Sequence, residues 1–98
     1  MTDFFVYILK CSDGSFYTGH TDNLDTRIAQ HNAGHFGGYT STRLPVELVF
    51  NERCQSRDAA FAAEQRIKGW SRAKKQALIA RDWPALKTAA RPPQERSA

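Results

Sequence analysis

The chain has 98 residues, of which 41% are hydrophobic and 24% charged, a composition typical of one soluble globular domain. No apolar stretch approaches the roughly 20 residues of a membrane-spanning helix, and no basic segment of a signal peptide begins the sequence, so we expect a cytoplasmic protein without a membrane partner. Two cysteines without a CxxC spacing argue against a disulfide or zinc framework.

The net charge of +4 is distributed unevenly along the chain. Residues 1–64 hold five Lys and Arg against eight Asp and Glu, whereas residues 65–98 hold nine against two, a net charge of +7. This basic segment favours a polyanionic partner, because Lys and Arg neutralise the phosphates of nucleic acids. The alternative is that these charges only cover solvated helix faces.

A hairpin is predicted at the N-terminus. Residues 4–11, FFVYILKC, predict a strand because they are rich in aromatic and β-branched side chains. Since this strand is apolar on both faces, we expect it in the middle of the sheet. Residues 12–15 predict a turn, and residues 16–20 a returning strand.

The length of this turn decides where two tyrosines point, because side chains alternate between the faces of a strand. A two-residue loop, Asp13 and Gly14, would place Tyr7 and Tyr17 on opposite faces. An odd-length loop or a bulge would place both tyrosines on one face. The sequence leaves the two registers open.

A helix is predicted after the hairpin, with Asn23 or one of the two preceding residues as N-cap and Gly34 at a typical C′ position. Arg27 and His31, four residues apart, then lie one above the other on the helix. The glycine-rich residues 33–45 predict a surface loop.

A third strand is predicted where Val46, Leu48 and Phe50 alternate and would share one face of the sheet. Two more helices and a last short turn over residues 83–90 are predicted after this strand. Their N-caps are Ser56, Ser71 and Asp82.

Glu64, in the first of these two helices, shares its helix face with Ala60, Phe61 and Ile67. A carboxylate among apolar side chains would be partly desolvated, which is costly without a cation or hydrogen-bond donors. The pattern therefore favours a metal or an arginine beside Glu64. The alternative is a salt bridge to Lys68, one turn later.

Together these elements predict one compact α/β (α+β) domain over residues 1–90. It would contain a small, three-stranded, mainly antiparallel sheet flanked by helices. Residues 91–98, RPPQERSA, predict a flexible C-terminal tail.

The ordered set of motifs resembles the GIY-YIG nuclease superfamily, most closely its small single-domain bacterial members. The first signature corresponds to Phe5-Val6-Tyr7 and the second to Tyr17-Thr18-Gly19. The family's helix arginine, the His or Tyr one turn later and the glutamate of the following helix correspond to Arg27, His31 and Glu64. Roughly residues 4–81 are covered by this resemblance, which implies the GIY-YIG fold.

The resemblance implies a divalent-metal-dependent endonuclease that hydrolyses DNA phosphodiester bonds, with structure-specific substrates and a link to repair or recombination. The catalytic residues it implies are Tyr7, Tyr17, Arg27, His31 and Glu64. Glu64 would ligate Mg²⁺ (or Mn²⁺), and Arg27 would stabilise the phosphate oxygens. Either tyrosine could position or deprotonate the attacking water with help from His31. The expected nucleic-acid contacts are Gly19, Tyr39, Thr40, Arg43, Lys68, Arg72, Lys74 and Lys75.

A second hypothesis is a catalytically weak or inactive nucleic-acid-binding module that acts with a partner. The family's first glycine is Phe5 here, and its C-terminal asparagine has no counterpart after Asn51, with Gln76 a candidate substitute. No element predicted here reads bases, so a protein partner would supply specificity. The sequence carries no signal for oligomerisation.

Overall fold

The computed structural model describes residues 3–35 and 38–89. Its elements are β1 (Phe4–Lys10), β2 (Phe16–Thr21), α1 (Leu24–Asn32), β3 (Glu47–Cys54), α2 (Arg57–Lys68), α3 (Arg72–Ile79) and α4 (Trp83–Ala89). Every described helix is too short or too polar to traverse a bilayer. The predicted tail, residues 91–98, lies outside the described residues, as do positions 36 and 37 of the predicted loop.

The chain divides into two compact units, Met1–Lys68 and Gly69–Ala98. The first unit contains the sheet with α1 and α2, and in the second α3 packs against α4. A single domain spanning residues 1–90 stays a prediction.

The three strands form an antiparallel sheet in the order β2-β1-β3, which confirms both the predicted sheet and the central place of β1. Both faces of β1 are covered, since Val6 and Ile8 on one face and Tyr7 and Leu9 on the other are each at most 2% exposed. Burial on two faces explains why this strand is apolar without alternation.

The β1–β2 hairpin adopts the register that brings the two tyrosines to one face. Tyr7 lies directly opposite Gly19, and Tyr17, two residues before Gly19, therefore points to the same face as Tyr7. Of the two registers that the sequence left open, the structure has the one that a shared site requires.

A three-residue loop produces this register. Cys11 N donates to Ser15 O at 2.8 Å, and the last loop residue, Gly14, has a φ of +84°. Loops of three residues typically end in a left-handed conformation, which glycine adopts without steric penalty. The Asp-Gly pair thus forms the end of an odd-length loop and not a two-residue turn.

The prediction that Val46, Leu48 and Phe50 share one face is wrong. Ile8 pairs with Phe50 but Leu9 pairs with Leu48, so the register shifts by one residue at this point. Such a bulge exchanges the faces on which the following side chains lie. Val46 and Leu48 consequently pack in the cluster that includes Leu9, whereas Phe50 is buried on the opposite face.

The predicted caps Ser56, Ser71 and Asp82 are confirmed, with helix α4 in place of the short turn predicted after Asp82, and of the three candidates for α1 the structure has Asn23. Each cap side chain accepts a hydrogen bond from the backbone N–H three residues later and so satisfies a donor that the helix cannot. The caps are Asn23, Ser56, Ser71 and Asp82, with distances of 3.1, 3.1, 3.2 and 3.1 Å.

The two long helices of the first unit cover opposite faces of the sheet. Leu24 and Ile28 of α1 pack on the face that carries Tyr7. Helix α2 packs against β2 and β1 on the other face, where Glu64 bonds to His20. Catalytic residues predicted on α1 and α2 therefore approach the edge strand β2 from its two sides.

Replacing Gly19 with alanine should destabilise the protein, because the added Cβ would lie 2.5 Å from Tyr7 Oη and 2.7 Å from Tyr7 Cζ. Overpacking of this kind costs about 1–3 kcal/mol, which chemical denaturation would measure as a lower free energy of unfolding. In a Tyr7→Leu background the same substitution should cost less, since the clashing atoms are gone. Equal losses in both backgrounds would contradict this clash.

Candidate active site

Three of the predicted catalytic side chains meet on the α1 face of the sheet. The Tyr7 hydroxyl of β1 lies 3.3 Å from Nε2 of His31 on α1. The ring of Tyr17, on β2, has its centroid 5.2 Å from that of His31 and 6.5 Å from that of Tyr7. Two strands and one helix thus contribute to a single aromatic cluster.

Arg27 lies beside the same phenol. Its positive charge acts on the Tyr7 hydroxyl and favours the ionised form of Tyr7, which lowers the pKa of that phenol. Arg27 is one helical turn before His31, so the predicted alignment of these two side chains brings both to Tyr7.

Burial controls the protonation of this cluster. It raises the pKa of the Tyr7 phenol far above the ordinary value of 10.0, and the charges of Tyr17 and Glu64 raise it further, so that Arg27 offsets only part of the shift. Burial, followed by the charge of Arg27, lowers the pKa of His31 below 6.5. At neutral pH, therefore, a neutral phenol is hydrogen-bonded to a neutral imidazole.

Glu64 is ionised, and both of its carboxylate oxygens are engaged. Oε1 accepts from His20 Nδ1 at 2.7 Å, and Oε2 accepts from Lys68 Nζ at 2.7 Å and from Gln65 Nε2 at 3.0 Å. Burial alone would raise the pKa of Glu64, but the hydrogen bonds from Lys68 and His20 outweigh it and hold the pKa below 4.5. The sequence predicted a partly desolvated carboxylate that needs a cation or hydrogen-bond donors. In the structure Glu64 has such donors, and one of them is Lys68, whose salt bridge was the predicted alternative.

The charge of Glu64 reaches the Tyr7 phenol from the other side of the sheet. The phenol extends over Gly19 of β2, and β2 is the edge strand. The absence of a side chain at Gly19 therefore lets the Tyr7 phenol reach over the edge strand.

The Glu64 carboxylate keeps one oxygen lone pair that could bind a divalent cation. Within the described ranges no three His, Cys, Asp or Glu side chains cluster as a metal site, so protein ligands beyond this carboxylate would be few. Mg²⁺ commonly keeps several waters and binds one or two carboxylates together with substrate phosphate. A carboxylate offers about four lone-pair directions, and the three hydrogen bonds to Glu64 leave one for a cation.

The predicted nucleic-acid contacts of the loop have different environments. Tyr39 is 43% exposed and stacks on Tyr17, with the Arg43 guanidinium 3.9 Å from the Tyr39 ring centroid. Arg43 also pairs with Asp13 at 3.0 Å, which fixes it over that ring. Thr40 is only 2% exposed and lies 2.9 Å from His31 Nδ1, so we interpret it as a partner of His31 instead of a surface contact.

The other predicted contacts fall into three groups. Gly19 is buried beneath Tyr7, and Lys68 is half exposed while bonded to Glu64. Arg72, Lys74 and Lys75 lie on α3 in the second unit, where Lys74 Nζ is 4.0 Å from the Trp70 ring centroid. Binding of nucleic acid by these residues stays a prediction.

His20 is the site residue that the sequence reasoning missed. It follows Gly19 on β2 and points to the α2 face, where its ring also meets Phe61 edge-on at 5.6 Å. Strand alternation could have indicated it, because the register that puts Tyr7 and Tyr17 on one face puts residue 20 on the other.

Comparison with protein families gives a match to the GIY-YIG catalytic domain over residues 3–77. A UPF0213 protein of Natronomonas pharaonis is 50% identical over 78 residues, which cover 80% of this chain and 92% of the relative. A UPF0213 protein of Staphylococcus haemolyticus is 48% identical over 79 residues, with coverages of 81% and 96%.

Two solution NMR structures are similar to this one. The UPF0213 protein of Bacillus halodurans gives a TM-score of 0.52 at 41% identity and covers 80% of this chain and 83% of its own. A protein of E. faecalis gives a TM-score of 0.57 at 32% identity, with coverages of 82% and 85%. Both likenesses support the small α+β fold.

The raised pKa of Tyr7 predicts that wild type loses stability relative to Tyr7→Phe as the pH rises above about 10. Unfolding releases the phenol to its ordinary pKa, so above that value the unfolded chain ionises while the folded protein does not. The difference in free energy of unfolding should fall by about 1.4 kcal/mol per pH unit there and stay constant at lower pH. A constant difference between about pH 8 and 11 would show that Tyr7 ionises normally.

Proposed function

We propose that this chain, which belongs to the GIY-YIG catalytic-domain family, is a divalent-metal-dependent endonuclease that hydrolyses DNA phosphodiester bonds. The family assignment indicates a nuclease-type domain. The observation that carries the proposal for this chain is the convergence of Tyr7, Arg27 and His31 with the charge of Glu64 acting on the same phenol. We further propose structure-specific substrates and a role in DNA repair or recombination in the cytoplasm.

Arg27 is the residue suited to bind the scissile phosphate. A guanidinium is permanently charged and donates several hydrogen bonds in a fixed plane, which matches phosphate oxygens. The charge of Arg27 acts on the Tyr7 hydroxyl, so a phosphate bound to this guanidinium would lie next to that hydroxyl. Its charge would stabilise the negative charge that develops on the phosphate oxygens as water attacks.

Tyr7 and His31 are suited to take the proton of the attacking water. Because the phenol is neutral, it acts as a base only by passing its own proton to His31 Nε2 as it accepts one from water. The water oxygen then forms its bond to phosphorus, and the bond to the leaving oxygen breaks with its electron pair moving to that oxygen. The leaving oxygen takes a proton from solvent, and His31 becomes an imidazolium. Tyr17, packed on His31, would hold the ring in place.

Glu64 is the residue that would hold Mg²⁺ (or Mn²⁺). When bound, such an ion supplies Lewis-acid stabilisation of the phosphate charge. His20 and Lys68 keep the carboxylate ionised and orient it, and Lys68 is half exposed, so it can also reach phosphate oxygens.

Surface side chains would hold the rest of the DNA. Tyr39 and Arg43 form an exposed aromatic and cationic pair next to Tyr17, which suits contact with bases and phosphates. The basic side chains Arg72, Lys74 and Lys75 suit the phosphate backbone. Such contacts read no sequence, so we propose that a protein partner supplies specificity.

Substituting Glu64 with glutamine should reduce DNA cleavage by roughly a hundredfold or more, since it removes the charge that holds the cation and each 1.4 kcal/mol is about tenfold in rate. Glu47→Gln is a matched control, because Glu47 is an exposed carboxylate at the start of β3. Cleavage of branched, flapped and duplex DNA in Mg²⁺ or Mn²⁺ would be measured for all three proteins. Equal rates for wild type and Glu64→Gln would rule out this site as the source of cleavage.

A second candidate function is a nucleic-acid-binding module without turnover. It is favoured by the engagement of both Glu64 oxygens with protein donors and by the absence of an asparagine after Asn51. Such a module would bind DNA in a salt-dependent manner, show no cleavage in any metal and bind unchanged after Glu64→Gln.

Binding measured against salt tests the basic side chains on which both functions depend. Replacing Lys74 and Lys75 with alanine should reduce the slope of log K against log salt by about one for each phosphate that a lysine neutralises in wild type. Because phosphate groups carry no sequence information, the decrease in affinity should be similar for different DNA sequences. An unchanged slope would show that these two lysines do not bind the backbone.

A further inference from the structure

Both ring nitrogens of His31 have hydroxyl partners inside the protein. Nε2 lies 3.3 Å from the Tyr7 hydroxyl, and Nδ1 lies 2.9 Å from the Thr40 hydroxyl. His31 and Thr40 are each 2% exposed, so water does not compete for these bonds. The loop holds Thr40 in place, since Arg43 N donates to Thr40 O at 3.0 Å.

The direction of these hydrogen bonds depends on which nitrogen carries the proton. A neutral imidazole has one N–H donor and one lone pair, whereas each hydroxyl can donate or accept. The positive charge of Arg27 acts on the Tyr7 hydroxyl and favours the orientation in which the phenol oxygen faces the guanidinium and its O–H donates to His31. Nε2 must then carry the lone pair, and the proton on Nδ1 has the Thr40 oxygen as its acceptor.

We propose that Thr40 is a positioning residue that fixes the Nδ1–H tautomer of His31 by accepting the hydrogen bond of that N–H. The Nε2 lone pair is thereby aimed at Tyr7. This assignment differs from a direct contact of Thr40 with nucleic acid, and it requires no ligand.

The consequence for catalysis rests on the proposed function. In the proton transfer described above, Nε2 accepts the phenol proton, which it can do only with a free lone pair. The Nδ1–H stays bonded to Thr40 throughout, so the ring ends the step as an imidazolium with both protons directed at oxygen acceptors. With the opposite tautomer the phenol would have no acceptor for its proton.

The experiment uses ¹⁵N-labelled histidine, whose ring nitrogen shifts and couplings to ring protons distinguish the two tautomers and the imidazolium. Spectra of wild type, Thr40→Val, Thr40→Ser and Thr42→Val would be compared at neutral pH without metal or DNA. Thr40→Val removes the hydroxyl at nearly constant volume, and Thr40→Ser restores it. Thr42→Val makes the same change elsewhere in the same loop, at a hydroxyl that accepts a hydrogen bond from Arg43.

Wild type, Thr40→Ser and Thr42→Val should show the His31 proton on Nδ1. Thr40→Val should show a mixture of tautomers or the proton on Nε2. A wild-type protein with the proton on Nε2, or with both nitrogens protonated, overturns the proposal even if Thr40→Val does not fold. An unchanged tautomer in folded Thr40→Val overturns it as well.

Cleavage assays then separate this inference from the proposed function. Thr40→Val should cleave DNA about tenfold more slowly, the effect of about 1.4 kcal/mol from the removal of one orienting hydrogen bond, whereas Thr40→Ser should stay within about twofold of wild type. If wild type does not cleave DNA at all, the proposed function fails while the tautomer measurement still decides the role of Thr40. A slower Thr40→Val with an unchanged tautomer rejects the positioning role alone.

Discussion

The approach of the Tyr7 phenol to His31 across Gly19 is the interaction on which the site depends. A phenol on a central strand can reach the edge of a sheet only if the residue opposite it has no side chain, and Gly19 is that residue. The same register sets Tyr17 beside His31. One backbone feature, the length of the turn that ends at Gly14, thus sets Gly19 opposite Tyr7 and brings Tyr17 to the same face as Tyr7.

Burial decides the charge state of the side chains on one side of the edge strand, and hydrogen bonding decides it on the other side. On the α1 face burial dominates, so Tyr7 and His31 are both neutral and share a hydrogen bond. On the α2 face the donors His20 and Lys68 dominate, so Glu64 is ionised in spite of its burial. A neutral pair and an ionised carboxylate therefore lie on opposite sides of one strand, and the hydrolysis that we propose would use the first to pass a proton and the second to hold a cation.

The chain belongs to the GIY-YIG family, and its structure shows two features that the sequence did not predict. His20 provides a carboxylate partner that was not among the expected site residues. Thr40, expected at the surface, lies inside the cluster and bonds to the Nδ1 side of the His31 ring. His20 on β2 orients Glu64 on α2, and Thr40 in the loop orients His31 on α1.

The sequence by itself determined the elements, their caps and most of the residues in the candidate site. Ser56, Ser71 and Asp82 could be recognised, and Asn23 was one of three candidates, because capping is local and depends on residues three positions apart. The central position of β1 followed from its apolar faces. The spacing of Arg27 and His31 also followed from helix geometry alone.

Tertiary structure decided what depends on pairing between distant segments. The hairpin register was open because Asp-Gly occurs in loops of two or three residues, and the bulge that separates Leu48 from Phe50 arises only where β3 meets β1. The partners of Glu64 and of His31, namely His20 and Thr40, come from other segments of the chain, and no local pattern fixes those distances. Long-range interactions, unlike caps and helix faces, are set by how the whole sheet pairs and packs.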